Sequence, residues 1–247
     1  MYELFDFENN KITFDQLDNK AFWCAHGERQ EKAFVKIFDK LKNEGGLKTK
    51  FHVAIHPEKY SNPYHPDLLI DGKFIGDAKI KNSPLFMANT YLVSPQYALT
   101  MDLKDVFNYR KRLLSRNQDV YIFAWVKWEA HKMVTQNRTY SVNKMGGIWV
   151  SKISDILSYL QEKKVGIHWY KERFRHAPYS GSDHAWGREL LEFESRLLFD
   201  GKVRNISSNG FITRGENGVT YPAGHSSCSY VFDLSNSRLF EQLYLKM

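Results

Sequence analysis

Three kinds of hydrophobic pattern run through the first half of the chain. Over residues 28–42 apolar positions return at the helical period. At 3.6 residues per turn Phe34, Val35 and Phe38 share one side, and Arg29, Lys32, Lys36 and Lys40 take the other. This predicts an amphipathic helix that stops at Gly45-Gly46. Glu31 lies at the upstream end of the apolar stripe, where a carboxylate is expected only if it is paired or binds something. Glu28 is one turn earlier and nearly in line. Residues 48–55 read as a strand and 56–65 as a loop interrupted by Pro57 and Pro63. Two short apolar runs, 68–70 and 74–75, then flank Asp71-Gly72, a pair suited to the positive-φ turn of a tight β-hairpin. Residues 83–100 look irregular, with a short helix expected to begin at Pro95 behind Ser94. A second amphipathic helix is predicted over 102–114, burying Leu103, Val106, Phe107, Leu113 and Leu114. Residues 120–126 are continuously apolar, as in a central strand covered on both faces.

The later part of the chain is patterned less regularly. A strand is predicted over 147–150 and a helix over 151–162 with Ile153, Ile156, Leu157 and Leu160 inward. Another helix is expected over 188–199, then a hairpin over 210–221 turning at Glu216-Asn217-Gly218. A strand over 230–234 and a terminal helix over 238–245 complete the pattern. Helix, strand, hairpin, helix and strand in residues 1–128 predict a mixed sheet flanked by helices, an α/β layer architecture. Residues 1–146 are expected to form the core. Residues 147–247 would be an α+β C-terminal extension for substrate recognition, dimerisation or both, either separate from the core or part of the same domain.

Composition narrows the function. The chain has 247 residues, 43% hydrophobic and 26% charged, which is ordinary for a globular protein. Its net charge of +7 favours polyanionic partners, because phosphate contacts release counterions. Cys24 and Cys228 are far apart and no CxxC occurs, so neither a disulfide framework nor a zinc finger is expected. The first residues lack the basic flank and long apolar run of a signal peptide, and no apolar run reaches membrane-spanning length. A soluble, cytoplasmic protein with no membrane partner is expected. Serine-hydrolase, P-loop, dinucleotide and zincin motifs are all missing.

The charged residues of the hairpin carry the chemistry. Asp67 opens its first strand, Asp77 comes late in its second, and Lys79 shares a strand face with Asp77. Two carboxylates on adjacent strands suit a hard divalent cation, since Mg²⁺ takes oxygen ligands and is held by one or two carboxylates plus substrate phosphate. A nearby lysine can orient the attacking water, accept its proton or stabilise the pentacovalent charge. Beside a metal its pKa should fall, which favours the second role. A two-residue turn at Asp71-Gly72 would pair Ile70 with Lys73 and put Asp67 and Asp77 on opposite faces. A bulge or bend is therefore predicted within 66–67 or 75–77, with Gly76 a natural bulge residue.

Pro66-Asp67, nine intervening residues and then Asp77-Ala78-Lys79 resemble the signature of the PD-(D/E)xK phosphodiesterase superfamily. That group includes type II restriction endonucleases, Holliday-junction resolvases, lambda-type exonucleases and several repair nucleases. The resemblance covers residues 27–128. It implies a restriction-endonuclease-like mixed central sheet flanked by helices. It also implies Glu31 as a helix-borne member of the site, Asp67 and Asp77 as metal ligands, the Ala78 carbonyl as a further ligand, and Lys79 as the catalytic lysine. Mg²⁺ is the implied cofactor, with Mn²⁺ substituting, and DNA the implied partner. A homodimer would serve cutting of both strands. The activity expected is that of a metal-dependent DNA endonuclease, hydrolysing phosphodiester bonds by in-line attack of a metal-activated water. The alternatives are a structure-selective or exonucleolytic repair or phage nuclease, or a non-catalytic nucleic-acid-binding protein on the same fold.

Substrate contacts are expected around this cluster. His65 stands beside Asp67 as an auxiliary substrate or metal contact, while His52, His56 and His65 together have no recognised metal-site spacing. Lys81 and the basic run Arg110-Lys111-Arg112 are candidates for phosphate contacts. In residues 169–176 the cations Lys171, Arg173 and Arg175 alternate with aromatics, which suits a phosphate backbone with unstacked bases and equally suits packing of a subdomain. His168, His176 and His184 recur every eight residues and fit neither a helix face nor a zinc motif.

Overall fold

The computed structural model describes residues 2–13, 20–61, 65–163, 165–169, 212–214, 220–222 and 228–247. These form a mixed α/β architecture. The chain begins β1 (Tyr2–Asp6), β2 (Lys11–Ile12), α1 (Lys20–Asn43), β3 (Val53–Ile55), β4 (Leu68–Ile70) and β5 (Phe74–Lys81). It continues β6 (Ala98–Asp102), α2 (Leu103–Arg116), β7 (Val120–Lys127), β8 (Ala130–Thr135), β9 (Thr139–Ser141), β10 (Gly146–Lys152) and α3 (Ile153–Glu162). The last strands are β11 (Gly166–Trp169), β12 (Ile212–Arg214), β13 (Thr220–Pro222), β14 (Cys228–Asp233) and β15 (Glu241–Lys246).

A six-stranded sheet in the order β15-β10-β7-β5-β4-β3 holds the molecule together. Only β5 and β7 run parallel in it, joined by a crossover through α2. β7 is central, and its alternate residues feed two cores. Tyr121, Phe123 and Trp125 face α1, where Phe34 and Phe38 are fully buried against the Phe123 ring. Val120, Ile122, Ala124 and Val126 face Val106 and Tyr109 of α2 and Ile153 and Ile156 of α3. Truncating Phe34 or Phe38 to Ala would cost about 3–5 kcal/mol, the usual price of emptying such a site. Smaller sheets β2-β1-β8-β9 and β11-β14-β6 lie around this core, and β12 pairs with β13. The boundary expected at 146/147 falls at the start of β10, so the later residues supply two strands of the central sheet.

Most predicted elements are present, with four differences. The strand expected over 48–55 is reduced to β3, because the backbone of His52 is taken up by Asp71, whose Oδ1 accepts its N–H at 2.7 Å and whose N–H bonds its carbonyl at 2.8 Å. No helix starts at Pro95; Tyr97 N–H closes a turn onto Ser94 and β6 follows. Leu114, expected in the core, is 73% exposed beyond the buried stripe of α2. The terminal helix over 238–245 is instead a turn and the strand β15. Its apolar residues fit either period, and pairing with the open edge of β10 outweighs the weak helical preference. The expected helix over 188–199 lies outside the described residues, as does the turn of the hairpin that β12 and β13 form.

The β4–β5 hairpin positions the site, and its register differs from expectation. Asp71 and Gly72 both take positive φ (52° and 65°), as a type I′ turn requires, and Lys73 N–H bonds the Ile70 carbonyl at 3.0 Å. Lys73 is then left outside the ladder, so Ile70 pairs with Phe74, Leu69 with Ile75 and Leu68 with Gly76. Extending that register by one residue sets Asp67 opposite Asp77 on the same face. The one-residue correction exists, but at the turn and not near Pro66 or Gly76. His56 N–H bonds the Asp67 carbonyl at 2.8 Å, holding the strand straight there.

Gly76 is a close-approach residue. A Cβ on it would stand 2.9 Å from Ile70 Cδ1 and 3.1 Å from the Tyr121 carbonyl oxygen. Gly76→Ala is therefore expected to lower stability by about 1–3 kcal/mol, as overpacking does. Urea denaturation of the two chains measures it, and an unchanged midpoint would show that β5 has room to spare.

Candidate active site

β5 carries Asp77, Lys79 and Lys81 on the face covered by α2, and Asp67, the residue just before β4, is on the same face. Asp67 and Asp77 are both buried. Lys79 Nζ lies 2.6 Å from Asp77 Oδ2 and 2.6 Å from Asp105 Oδ2, and 5.7 Å from the centre of the Tyr109 ring. Asp105 and Tyr109 are one turn apart on α2, so that helix supplies a wall to the site. Asp67 is met by Lys59, on a single 3₁₀ turn, Pro57–Tyr60. Lys59 Nζ also lies 3.7 Å from Glu31 Oε1. Glu31 thus joins the cluster from α1 through a lysine. Asp67 Oδ2 accepts the Ala78 N–H at 3.3 Å. Because the N–H and C=O of a strand residue lie on the same edge, the Ala78 carbonyl faces that side too.

Sequence reasoning found Glu31, Asp67, Asp77, Ala78 and Lys79, and the structure brings these together. It missed Lys59, Asp105 and Tyr109. A signal existed for the last two, since an acid and a tyrosine spaced i, i+4 sit on the inward side of an otherwise apolar helix stripe. A lone lysine in a proline-bounded loop gave none. His65 is buried with its ring against His56, and what it can offer is Nε2, directed at Glu58. Lys81 Nζ donates to Thr100 Oγ1 at 2.9 Å. Arg110 and Lys111 are exposed on α2, whereas Arg112 is half-buried and bonds Gln118 Oε1 at 3.2 Å. Lys171, Arg173 and Arg175 lie outside the described residues, with His176 and His184. Among the described residues no helix is long and apolar enough to cross a membrane.

The charges are unequal. Burial first, then the neighbouring carboxylates Asp77 and Glu31, push the Asp67 carboxyl up to about 8 despite Lys59. Burial also works against a charged Asp77, but Lys79, a hydrogen bond from Tyr109 and Lys59 hold it below the usual carboxylate range. Burial opposes the Lys79 charge as well, yet Asp105 and Asp77 hold that ammonium well above its ordinary value. Lys59 is raised likewise by Asp67 and Glu31, against burial. Asp77 Oδ2 is met by the Lys79 ammonium at 2.6 Å and, among the described residues, by no other hydrogen-bond donor. Two buried carboxyls facing each other, one of them resisting ionisation, are a donor set that a hard divalent cation fits.

The raised Asp67 has a measurable consequence without any ligand. An ordinary aspartate in the unfolded chain ionises near 3.9, so between there and about 8 the folded chain binds the extra proton and stability falls as pH rises. Asp67→Asn is expected to raise the thermal midpoint in chelator at pH 8, by an increment that fades as the pH is lowered toward 4. A variant less stable than the parent at pH 8 would mean that the Lys59–Asp67 pair outweighs the burial of Asp67.

No family model, curated protein or solved structure matches this chain.

Proposed function

We propose that the chain is a metal-dependent DNA endonuclease of the PD-(D/E)xK kind, on a restriction-endonuclease-like core. The observation that carries the reading is the facing of Asp67 and Asp77 across the β4–β5 hairpin, with Lys79 on the same face. Asp67, Asp77 and the Ala78 carbonyl would hold Mg²⁺, and Mn²⁺ could replace it. Bound there, the ion supplies Lewis-acid polarisation of a phosphoryl oxygen and a lowered pKa for a coordinated water.

The remaining roles belong to the chain's own side chains. Lys79, flanked by two carboxylates, stays an ammonium near neutral pH. It serves to orient water by hydrogen bonding and to balance the negative charge that grows on the phosphoryl oxygens. Asp105 positions Lys79 and remains its counter-ion if the Asp77 carboxylate turns to a cation. Lys59 keeps Glu31 and Asp67 from repelling each other. Arg110 and Lys111 are exposed on the same helix as Asp105, and with the net charge of +7 they support phosphate contacts beside the site. A homodimer would let two such sites cut both strands.

Incubation with supercoiled plasmid, linear duplex and single strands should give cutting in Mg²⁺ or Mn²⁺ and none in chelator. Asp77→Ala should reduce cutting to background while DNA binding persists. Asp105→Asn should slow cleavage by about ten- to a hundredfold, as loss of a supporting contact does, with DNA affinity unchanged. Discrete fragments would identify an endonuclease, and progressive shortening an exonuclease. Binding without cutting, on every substrate and metal tried, would replace the enzyme with a binding module on the same fold.

A further inference from the structure

A second group of metal-ligating side chains converges at the 3₁₀ turn that precedes β4. His56, Glu58 and His65 offer ligand atoms that all lie within 4.8 Å of one another. His65 Nε2 is 3.3 Å from Glu58 Oε2. Ligands at about 2.0–2.1 Å from a tetrahedral zinc stand roughly 3.3–3.4 Å apart, so this pair already has the separation of two corners. The His65 ring is buried, and its Nδ1 lies 2.9 Å from the Pro66 carbonyl oxygen. A ring nitrogen beside a carbonyl carries the proton, which leaves the lone pair on Nε2, toward Glu58. Burial, with help from the nearby His56 and Arg112 and against the Pro66 carbonyl and Glu58, moves the ring below the ordinary imidazole range, the direction a metal ligand needs.

The second imidazole is close by. The His56 ring lies against His65 with centroids 4.1 Å apart and the ring planes tilted by 34°. Its Nδ1 accepts the Glu58 N–H at 3.1 Å, so its lone pair is on the edge nearest Glu58. Coordination through that atom exchanges one amide hydrogen bond for one metal bond. His52, which the sequence groups with these two, stands apart beside Asp39 at 4.0 Å.

We propose that His56, Glu58 and His65 form a binding site for a zinc-like divalent ion, distinct from the carboxylate cluster. Two imidazoles and one carboxylate select Zn²⁺ or a similar transition metal, whereas the all-oxygen set of Asp67 and Asp77 suits Mg²⁺. Three protein ligands leave a fourth corner for water or a ligand. The ion would fasten residues 56–58 to residue 65, and Lys59 follows directly on that fastened segment. The site does not depend on the nuclease reading.

The test uses the full chain stripped with chelator. Zn²⁺ is titrated in by calorimetry in the presence of excess Mg²⁺, and Co²⁺ replaces it for absorption spectroscopy. The expected result is saturable Zn²⁺ binding that excess Mg²⁺ does not displace, with the strong visible bands of four-coordinate Co²⁺. Glu58→Gln, at an exposed position that should leave folding intact, should weaken the binding by about tenfold or more. His65→Ala should abolish it, and Asp77→Asn should leave it in place. Zn²⁺ affinity unmoved by both Glu58→Gln and His56→Ala would overturn the proposal, as would loss of binding in Asp77→Asn, which would assign the ion to the carboxylates. Zn²⁺ binding intact in a chain that cuts no nucleic acid would sink the nuclease reading alone.

Discussion

Burying a carboxylate among apolar strands is unfavourable unless a cation meets it, and the central sheet buries two of them side by side. The other features of the site answer that constraint. Two lysines come from different directions, one on β5 itself and one on a 3₁₀ turn. Each is shared with a further acid, Asp105 for Lys79 and Glu31 for Lys59. The result is a run of charged side chains, a lysine between two acids on each side of the facing Asp67 and Asp77, that reaches from α1, past the end of the hairpin, to α2. The two helices on opposite faces of the sheet are therefore linked through charged side chains as well as through the cores between them.

The chain of charge is not balanced evenly along its length. Asp77 is well supplied, with Lys79 and Tyr109 against it. Asp67 is poorly supplied, because Lys59 must also serve Glu31 and because Asp77 repels it. A stability-optimised sequence would place an amide at Asp67. Retaining an acid that resists ionising is the kind of local cost that functional sites carry.

Much of this was legible in the sequence because the governing patterns are local. The inward Glu31 follows from helical periodicity, the hairpin from Asp71-Gly72, and the doubly covered β7 from its unbroken apolar run. The register was misjudged for a physical reason. Asp71-Gly72 specifies the turn's backbone, but whether Lys73 joins the ladder depends on how β5 must sit against β7, which is a long-range matter. The same holds for the terminal strand, whose apolar spacing fits two periods until β10 offers an edge. Lys59 was illegible because only the fold brings that loop to the strand. His56, Glu58 and His65 likewise carry no recognised spacing, and they meet because the turn and the start of β4 are tied by the His56–Asp67 backbone bond.

The hairpin that carries both acids is the most local piece of the central sheet, while the pairing of β10 with β15 joins residues about a hundred positions apart. Local contacts close quickly and distant ones slowly. The two aspartates can thus be brought face to face while the chain is still open to water and their charges are hydrated. The electrostatic burden arrives later, when α2 docks over them and Lys79 finds Asp105. The hairpin would then form at little electrostatic cost, and that cost would be met as the site's wall closes over it.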